Sequence, residues 1–389
     1  MRETTACDKI YVLKFEIKND RERKGNEVSL SIFTPIQIKS MTCSNRILRS
    51  ATWEALSDRD GFVSEKQFDI YRQLAENNVG LICTGYARIS EDEYPNAGMM
   101  GIYDDRFIPQ YKKLTDMVHK NNSAIMMQIA YGGTKTTYET ENRVIFAPSD
   151  IPEKSTGLAG TPMSVSNIKE MIKKYASAAE RVKKSGFDAV EIHGGHSYLL
   201  NQFLSTYYNN RTDEYGGSLE NRYRMLDGII KAIREKVGEE YPVLIKITCS
   251  DFFENGLSFE ESLAICKMLE QSGIDAIEVS GNIHGKAQKM TGQEFDGHKI
   301  LKGGYFYEYA KEIADAVSVP VYVTGGFSDS ALMEKYIEES AVAGFGMSRA
   351  FLCEPDLVSR WMSGNLAPAK CLHCSRCRTP EGNYCTVFK

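Results

Sequence analysis

His193, His196 and Tyr198 fall within six residues of one another, in the stretch 187–222 that reads FDAVEIHGGHSYLLNQFLSTYYNNRTDEYGGSLENR. All three are proton-handling groups. Imidazoles can donate hydrogen bonds to an oxygen that gains charge, and a phenol can deliver a proton to a basic carbon. The apolar, β-branched run before His193 reads as a buried parallel strand that ends on it. Gly194 and Gly195 then let the backbone turn tightly, so that the three side chains face one volume. Two histidines spaced by three also suit a metal ion, but no carboxylate or cysteine completes a recognisable zinc set nearby.

A strand end can hold such a constellation only if a larger scaffold surrounds it. Short apolar strands are expected at 46–53, 80–86, 123–130, 187–193, 241–249, 273–280, 319–324 and 340–347, with helical periodicity between them. Helix 165–186 carries Ile168, Met171, Ile172, Tyr175, Ala179 and Val182 on one stripe, and helix 258–272 opens with SFEES, a cap and an acidic first turn. Eight strands that each precede a helix specify an α/β chain folded as a (β/α)8 TIM barrel. A doubly wound sheet would need a glycine-rich fingerprint after its first strand, and RSATWEA supplies none. Insertions at 87–105, 131–164, 199–218 and 281–302 all follow strands, so these extended loops fall on the C-terminal face, where barrels build active sites.

With 389 residues and 42% hydrophobic content, the chain can bury a large core. A net charge of −5 with scattered lysines gives no footprint for nucleic acid. No apolar run reaches membrane-spanning length and no secretory h-region opens the chain, so a cytoplasmic setting and a small-molecule substrate are expected, with homo-oligomerisation left open. Residues 1–28 mix both charges with little periodicity and read as a flexible arm, or as sequence upstream of a natural start near Val28. The barrel is expected over 29–365 and a cysteine-rich tail over 366–389.

Three central strands each place one polar residue in an apolar run: Gln128 in IMMQIA, His193 in AVEIH and Lys246 in VLIKIT. A buried lysine needs an answering anion. An internal ion pair with Glu191 would supply one. A ligand with an amide-like edge and a site of negative charge would answer both Lys246 and Gln128, and the isoalloxazine ring of a flavin has both. Gly325 and Gly326 in VTGGFSD, with Ser348 and Arg349 in GMSRAF, follow the last two strands, where barrels commonly bind phosphate.

The motifs HGGHSY, LNQFLS and NNRTDEYGGSLENR resemble the old yellow enzyme family of FMN-dependent ene-reductases, and the similarity extends over roughly residues 30–365. This resemblance implies FMN as cofactor and NADH or NADPH as hydride source. It implies Ala51, Thr52, Gln128 and Lys246 along the flavin ring, with Gly325, Gly326, Ser348 and Arg349 at its phosphate. It also implies His193 and His196 holding the oxygen of an activated alkene that Tyr198 protonates. Trp53 stands where several members have a smaller residue, and either packs at the strand end or shapes the pocket. Arg211, Asp213, Tyr215 and Arg222 are expected to brace the long loop, and His284 is a further candidate for the pocket.

Four of the ten cysteines, Cys371, Cys374, Cys377 and Cys385, crowd into the tail, and thiolates at this spacing suit zinc or an iron–sulfur cluster. Larger relatives of the dienoyl-CoA reductase and trimethylamine dehydrogenase branch hold a [4Fe–4S] cluster with a similar run. That similarity implies an alternative activity, an FMN dehydrogenase or demethylase that passes electrons through the cluster to a partner protein.

Overall fold

The computed structural model of the chain describes residues 30–282, 295–296, 299–300 and 303–388. The expectations for the N-terminal arm and for His284 concern positions outside the described residues. Eight parallel strands form the centre: β1 Ile47–Arg49, β2 Leu81–Cys83, β3 Ala124–Ala130, β4 Ala189–Gly194, β5 Val243–Thr248, β6 Ala276–Ser280, β7 Val321–Thr324 and β8 Gly344–Met347. Each pairs with its sequence neighbour, and β8 pairs back with β1, so the sheet closes into a barrel. Closure excludes the doubly wound alternative, whose sheet stays open.

Alternation along the strands separates two environments. Outward residues such as Ile125, Met127, Ile129, Val190, Ile192, Val243, Ile245 and Ile247 pack against the helices. Inward residues divide by height. Met126, Ala189, Leu244, Ala276 and Tyr322 fill the lower barrel, closed from below by Ile38, Met41 and Cys43 of an antiparallel hairpin. One layer higher, at the next inward position of each strand, stand Gln128, Glu191, Lys246, Glu278 and Thr324. Parallel register sets Glu191 opposite Gln128, His193 opposite Lys246, and Lys246 opposite Glu278.

Helices α1 Glu65–Glu76, α2 Ile108–His119, α3 Val165–Lys184, α4 Leu219–Val237, α5 Phe259–Ser272, α6 Tyr307–Ala316, α7 Ser330–Glu339 and α8 Leu357–Met362 surround the strands. Local sequence starts several of them. Ser64, Ser164 and Ser258 each close a capping box, satisfying backbone donors that helix ends leave unpaired. Gly273 ends α5 in a left-handed conformation at φ 100°. The expected helices at 165–186 and 258–272 are thus present within two residues at each end.

β8 is mostly glycine on its inner face, and space is the reason. A Cβ on Gly346 would overlap the Thr324 hydroxyl and come within 3.2 Å of Glu278 Oε1. Gly346→Ala should therefore lower stability by about 1–3 kcal/mol through overpacking, read as a lower urea midpoint at an unchanged slope.

Candidate active site

β4 delivers His193 to the rim of the barrel, and the turn after it differs from the expected one. Gly194 and Gly195 do not adopt left-handed conformations; they are small because atoms of the neighbouring strand β5 come close. A Cβ on Gly194 would lie 3.1 Å from Lys246 O, and one on Gly195 2.9 Å from Thr248 Oγ1. The left-handed residues are His196 and Ser197, each at φ 59°, a conformation that costs a non-glycine residue energy unless its surroundings impose it. Those surroundings are visible. The His196 amide donates to Thr248 Oγ1 at 3.0 Å, the Ser197 amide to Asn201 Oδ1 at 2.7 Å, and Gln202 Nε2 to Ser197 O at 2.6 Å. Asn201 and Gln202 belong to the LNQFLS motif and lie on the short helix Leu199–Leu204, where their sequence signal was present but their bracing role was not.

The turn brings the three rings together. The His193 centroid lies 5.2 Å from that of His196 and 4.7 Å from that of Tyr198, the latter pair edge to face. His193 is buried, and its Nδ1 has no hydrogen-bond partner among the described residues. Burial first, then the neighbouring His196 and Lys246, hold its pKa well below the usual imidazole value, so the ring is neutral at pH 7. His196 Nε2 pairs with Ser280 Oγ at 2.9 Å, which fixes its ring. Burial pushes the Tyr198 phenol up to about 12, while hydrogen bonds from Tyr86 and Asn96 pull the other way. Asn96 Nδ2 in turn donates to Tyr86 Oη at 2.6 Å. Sequence reasoning missed Tyr86 and Asn96, whose proximity arises only when the loop after β2 folds over the rim.

Within the barrel the partner of Lys246 is Glu278. The ammonium donates to Glu278 Oε1 at 2.9 Å and to Ser50 Oγ at 2.6 Å, so the internal ion pair is made across the β5–β6 register and not with Glu191, the alternative partner read from the sequence. Ser50 and Thr324 also donate to Glu278 Oε1. Burial opposes both charges, but each holds the other ionised: Glu278 stays below the ordinary carboxylate range and Lys246 above the ordinary ammonium value. Glu191 behaves oppositely. Burial, followed by the charge of Glu278, pushes its carboxyl well above the usual range. Gln128 Nε2 donates to Glu191 Oε2 at 2.6 Å, so the candidate flavin-binding amide is held in place by a buried acid.

The remaining candidates surround this layer. Ala51 is partly buried, and Thr52 Oγ1 lies 2.7 Å from Ser348 Oγ, which joins the ends of β1 and β8. Trp53 Nε1 donates to Ala97 O at 2.9 Å, anchoring the indole to the loop after β2. Gly325 and Gly326 have φ of 153° and 77°, and a Cβ on either would strike Tyr305 at 2.8 or 2.7 Å. Helices begin after both of the last two strands, the one after β8 directly behind Ser348. Helix α7 starts at Ser330 behind Asp329, whose carboxylate caps it, and the helix after Ser348 spans only Arg349–Cys353. What this end offers an anion is glycine backbone and the Arg349 guanidinium, which donates to Ser375 Oγ of the tail at 3.3 Å. The bracing residues occupy their expected roles: Arg211 pairs with Asp213 and donates to Pro148 O at 3.0 Å, and Arg222 pairs with Glu261.

The tail folds back onto this rim. Asn383 Nδ2 donates to Trp53 O at 2.6 Å, its amide donates to Glu54 O at 2.7 Å, and the Arg378 guanidinium lies 5.7 Å from the Trp53 ring centroid. Cys371, Cys374, Cys377 and Cys385 line one recess together with Arg349 and His373. Cys353, which the sequence pattern set apart from the four, hydrogen-bonds to Cys385. The donor set suits a soft metal in kind, yet among the described residues no group of three or more His, Cys, Asp or Glu is arranged to hold an ion.

Comparison with known proteins follows the same outline. Residues 31–366 match the model of the NADH:flavin oxidoreductase / NADH oxidase family. The chain is 32% identical over 348 residues to a metal reductase of Desulforamulus reducens, spanning 89% of this chain and 51% of that protein. It is 31% identical over 327 residues to an NADPH dehydrogenase of Bacillus subtilis, spanning 83% of this chain and 92% of that one. The chain thus spans about half the length of the metal reductase and, at 53%, of an NADH oxidase from Thermoanaerobacter brockii. Among solved structures, a 2-naphthoyl-CoA reductase complex superposes with a TM-score of 0.80 at 24% identity, covering 88% of this chain and 54% of that one, which bears on the fold alone. Old Yellow Enzyme from Pichia sp. AKU4542 superposes at 0.73 with 25% identity, covering 87% and 88%. By its matched family model and by these relatives, the chain belongs to the NADH:flavin oxidoreductase / NADH oxidase family.

Proposed function

We propose that the chain is an FMN-dependent ene-reductase, taking hydride from NADH or NADPH and passing it to an electron-poor carbon–carbon double bond in ping-pong use of one site. The observation that carries this reading is the convergence of His193, His196 and Tyr198 at the rim end of a buried layer holding an amide and an ammonium. The residues present fit a flavin. Gln128 offers its amide, with Nε2 already pinned by Glu191, Lys246 offers positive charge, and Gly325, Gly326 and Arg349 offer donors to a phosphate. FMN, when bound, supplies the hydride that reaches one carbon of the alkene.

The chain's own residues do the rest. His193 is neutral with an unpartnered Nδ1, and His196 is oriented by Ser280, so the two imidazoles can hold a substrate carbonyl or nitro oxygen whose charge grows as hydride arrives. The adjacent carbon then becomes basic, and Tyr198 gives it a proton. Tyr86 donates a hydrogen bond to the Tyr198 oxygen and so stabilises the phenolate left behind.

A second reading rests on the convergence of the four tail cysteines on one recess. In it the enzyme is an FMN dehydrogenase or demethylase whose electrons leave through an iron–sulfur cluster at those thiols to a partner protein. Stoichiometric iron and acid-labile sulfide in anaerobically purified protein would favour that reading, and their absence from fully folded protein would remove it.

Stopped-flow spectroscopy of the flavin separates the two half-reactions. Tyr198→Phe should slow reoxidation by an enone roughly 10²-fold or more while leaving reduction by nicotinamide nearly unchanged; equal loss in both would remove the proton-donor role. Tyr86→Phe should slow only the enone step, by about 2- to 10-fold, the worth of one hydrogen bond. The pH dependence of stability has a defined sign as well. Native His193 stays neutral, whereas in the unfolded chain it takes up a proton as pH falls through about 6.5, so the native state loses stability there. In urea titrations, His193→Asn should flatten the decline between about pH 7 and 5.5.

A further inference from the structure

Glu191 and Glu278 lie inside the same barrel layer and are 0% and 2% exposed; Lys246 is ion-paired with Glu278 and acts on Glu191 only through its charge. Their oxygens are unevenly served. Glu278 Oε1 accepts from Lys246, Ser50 and Thr324, and Glu191 Oε2 accepts from Gln128 and, at 3.4 Å, from Cys83 Sγ. Glu278 Oε2 and Glu191 Oε1 are buried and receive no donor from any other described side chain. The two carboxyl groups nevertheless lie within reach of a hydrogen bond to each other. Two carboxylates cannot form one without a proton between them, and two buried negative charges against one ammonium would leave one uncompensated.

We infer that Glu191 and Glu278 share a single proton between Oε1 and Oε2, forming a one-charge carboxyl–carboxylate pair that neutralises Lys246 and sets the charge felt by the flavin. The other titratable groups around the pair add nothing to this charge. Cys83 on β2 is a buried thiol with its pKa well above the usual value, and His193 on β4 is neutral. Arg49 on β1 is already paired with Glu54. Either carboxyl is sufficient by itself. If one becomes an amide, the other ionises against Lys246 and the net charge of the layer is unchanged.

The consequence for the flavin rests on the proposed FMN site over Lys246, and the test separates the two ideas. The bound FMN midpoint potential is to be measured in the wild-type holoenzyme, Glu191→Gln, Glu278→Gln and the double variant. Both single variants should match the wild type, and only the double variant, with an unanswered ammonium, should shift the reduction equilibrium toward reduced flavin, by about tenfold or more. A rise in either single variant comparable to that in the double would mean two negative charges in the wild type and would overturn the shared proton. Difference infrared spectroscopy needs no flavin. A protonated carboxylic C=O band that shifts in D2O should be present in wild-type protein and lost from both single variants. Its absence from the wild type overturns the pair even if no variant folds. The band with no potential shift in the double variant keeps the pair but overturns its control of the flavin.

Discussion

A lysine inside a closed barrel must keep its charge answered, and much of the interior is arranged to do so. Lys246 stands on β5 between Glu278 on β6 and the hydroxyl of Ser50 just past β1, with Thr324 on β7 closing the same carboxylate from the other side. This set draws on strands far apart in sequence and exists only because the sheet closes. It also dictates size elsewhere. Gly346 on β8 is glycine because the Thr324 hydroxyl and Glu278 occupy the space a side chain would take. Below this layer the barrel is apolar, so the ion pair is held away from water on that side and the electrostatic interactions within it are stronger than they would be at a surface.

The rim chemistry rests on that buried layer. His193 sits one inward position above Glu191 and opposite Lys246; burial first, then His196 and Lys246, keep its imidazole neutral and able to donate without carrying charge. The left-handed conformations of His196 and Ser197 are imposed by hydrogen bonds to Thr248, Asn201 and Gln202, a local cost maintained by surroundings that over-determine it. The result is a rigid group of three rings at a strand end, with Tyr86 and Asn96 arriving from another loop to set the basicity of Tyr198. In this arrangement Tyr198 is hydrogen-bonded from the loop after β2, and His196 is fixed by Ser280 at the end of β6.

The tail changes how the rim should be viewed. It is joined to the segment after β1 through Asn383 and to the end of β8 through Arg349 and Ser375, so the cysteine recess and the candidate flavin site share a boundary residue. A change at the thiols is thereby mechanically adjacent to the phosphate end of the site. Family members of about this length and of about twice this length both match the chain, and the shared part is the barrel.

The order of strands and helices was legible in the sequence because alternation and helical periodicity are local, and all eight strands appear where the apolar runs lie. The Ser258 cap and the HGGHSY motif were legible for the same reason: their meaning depends on residues a few positions away. Partnership was not. Lys246 announced that it needed an anion, but Glu191 and Glu278 both satisfy strand parity, and only the β5–β6 register decides for Glu278. The glycines after His193 were read as a turn, whereas the approach of Lys246 O and Thr248 explains them, and that approach belongs to a neighbouring strand. Tyr86, Asn96 and the seat of the tail on Trp53 likewise depend on which loops meet at the rim. Sequence by itself determined the periodicities, and with them the barrel and the candidate site residues at its rim. Only the tertiary structure decided which charges and hydrogen bonds those side chains receive, because closure brings together groups far apart in the chain, 296 residues in the case of Thr52 and Ser348.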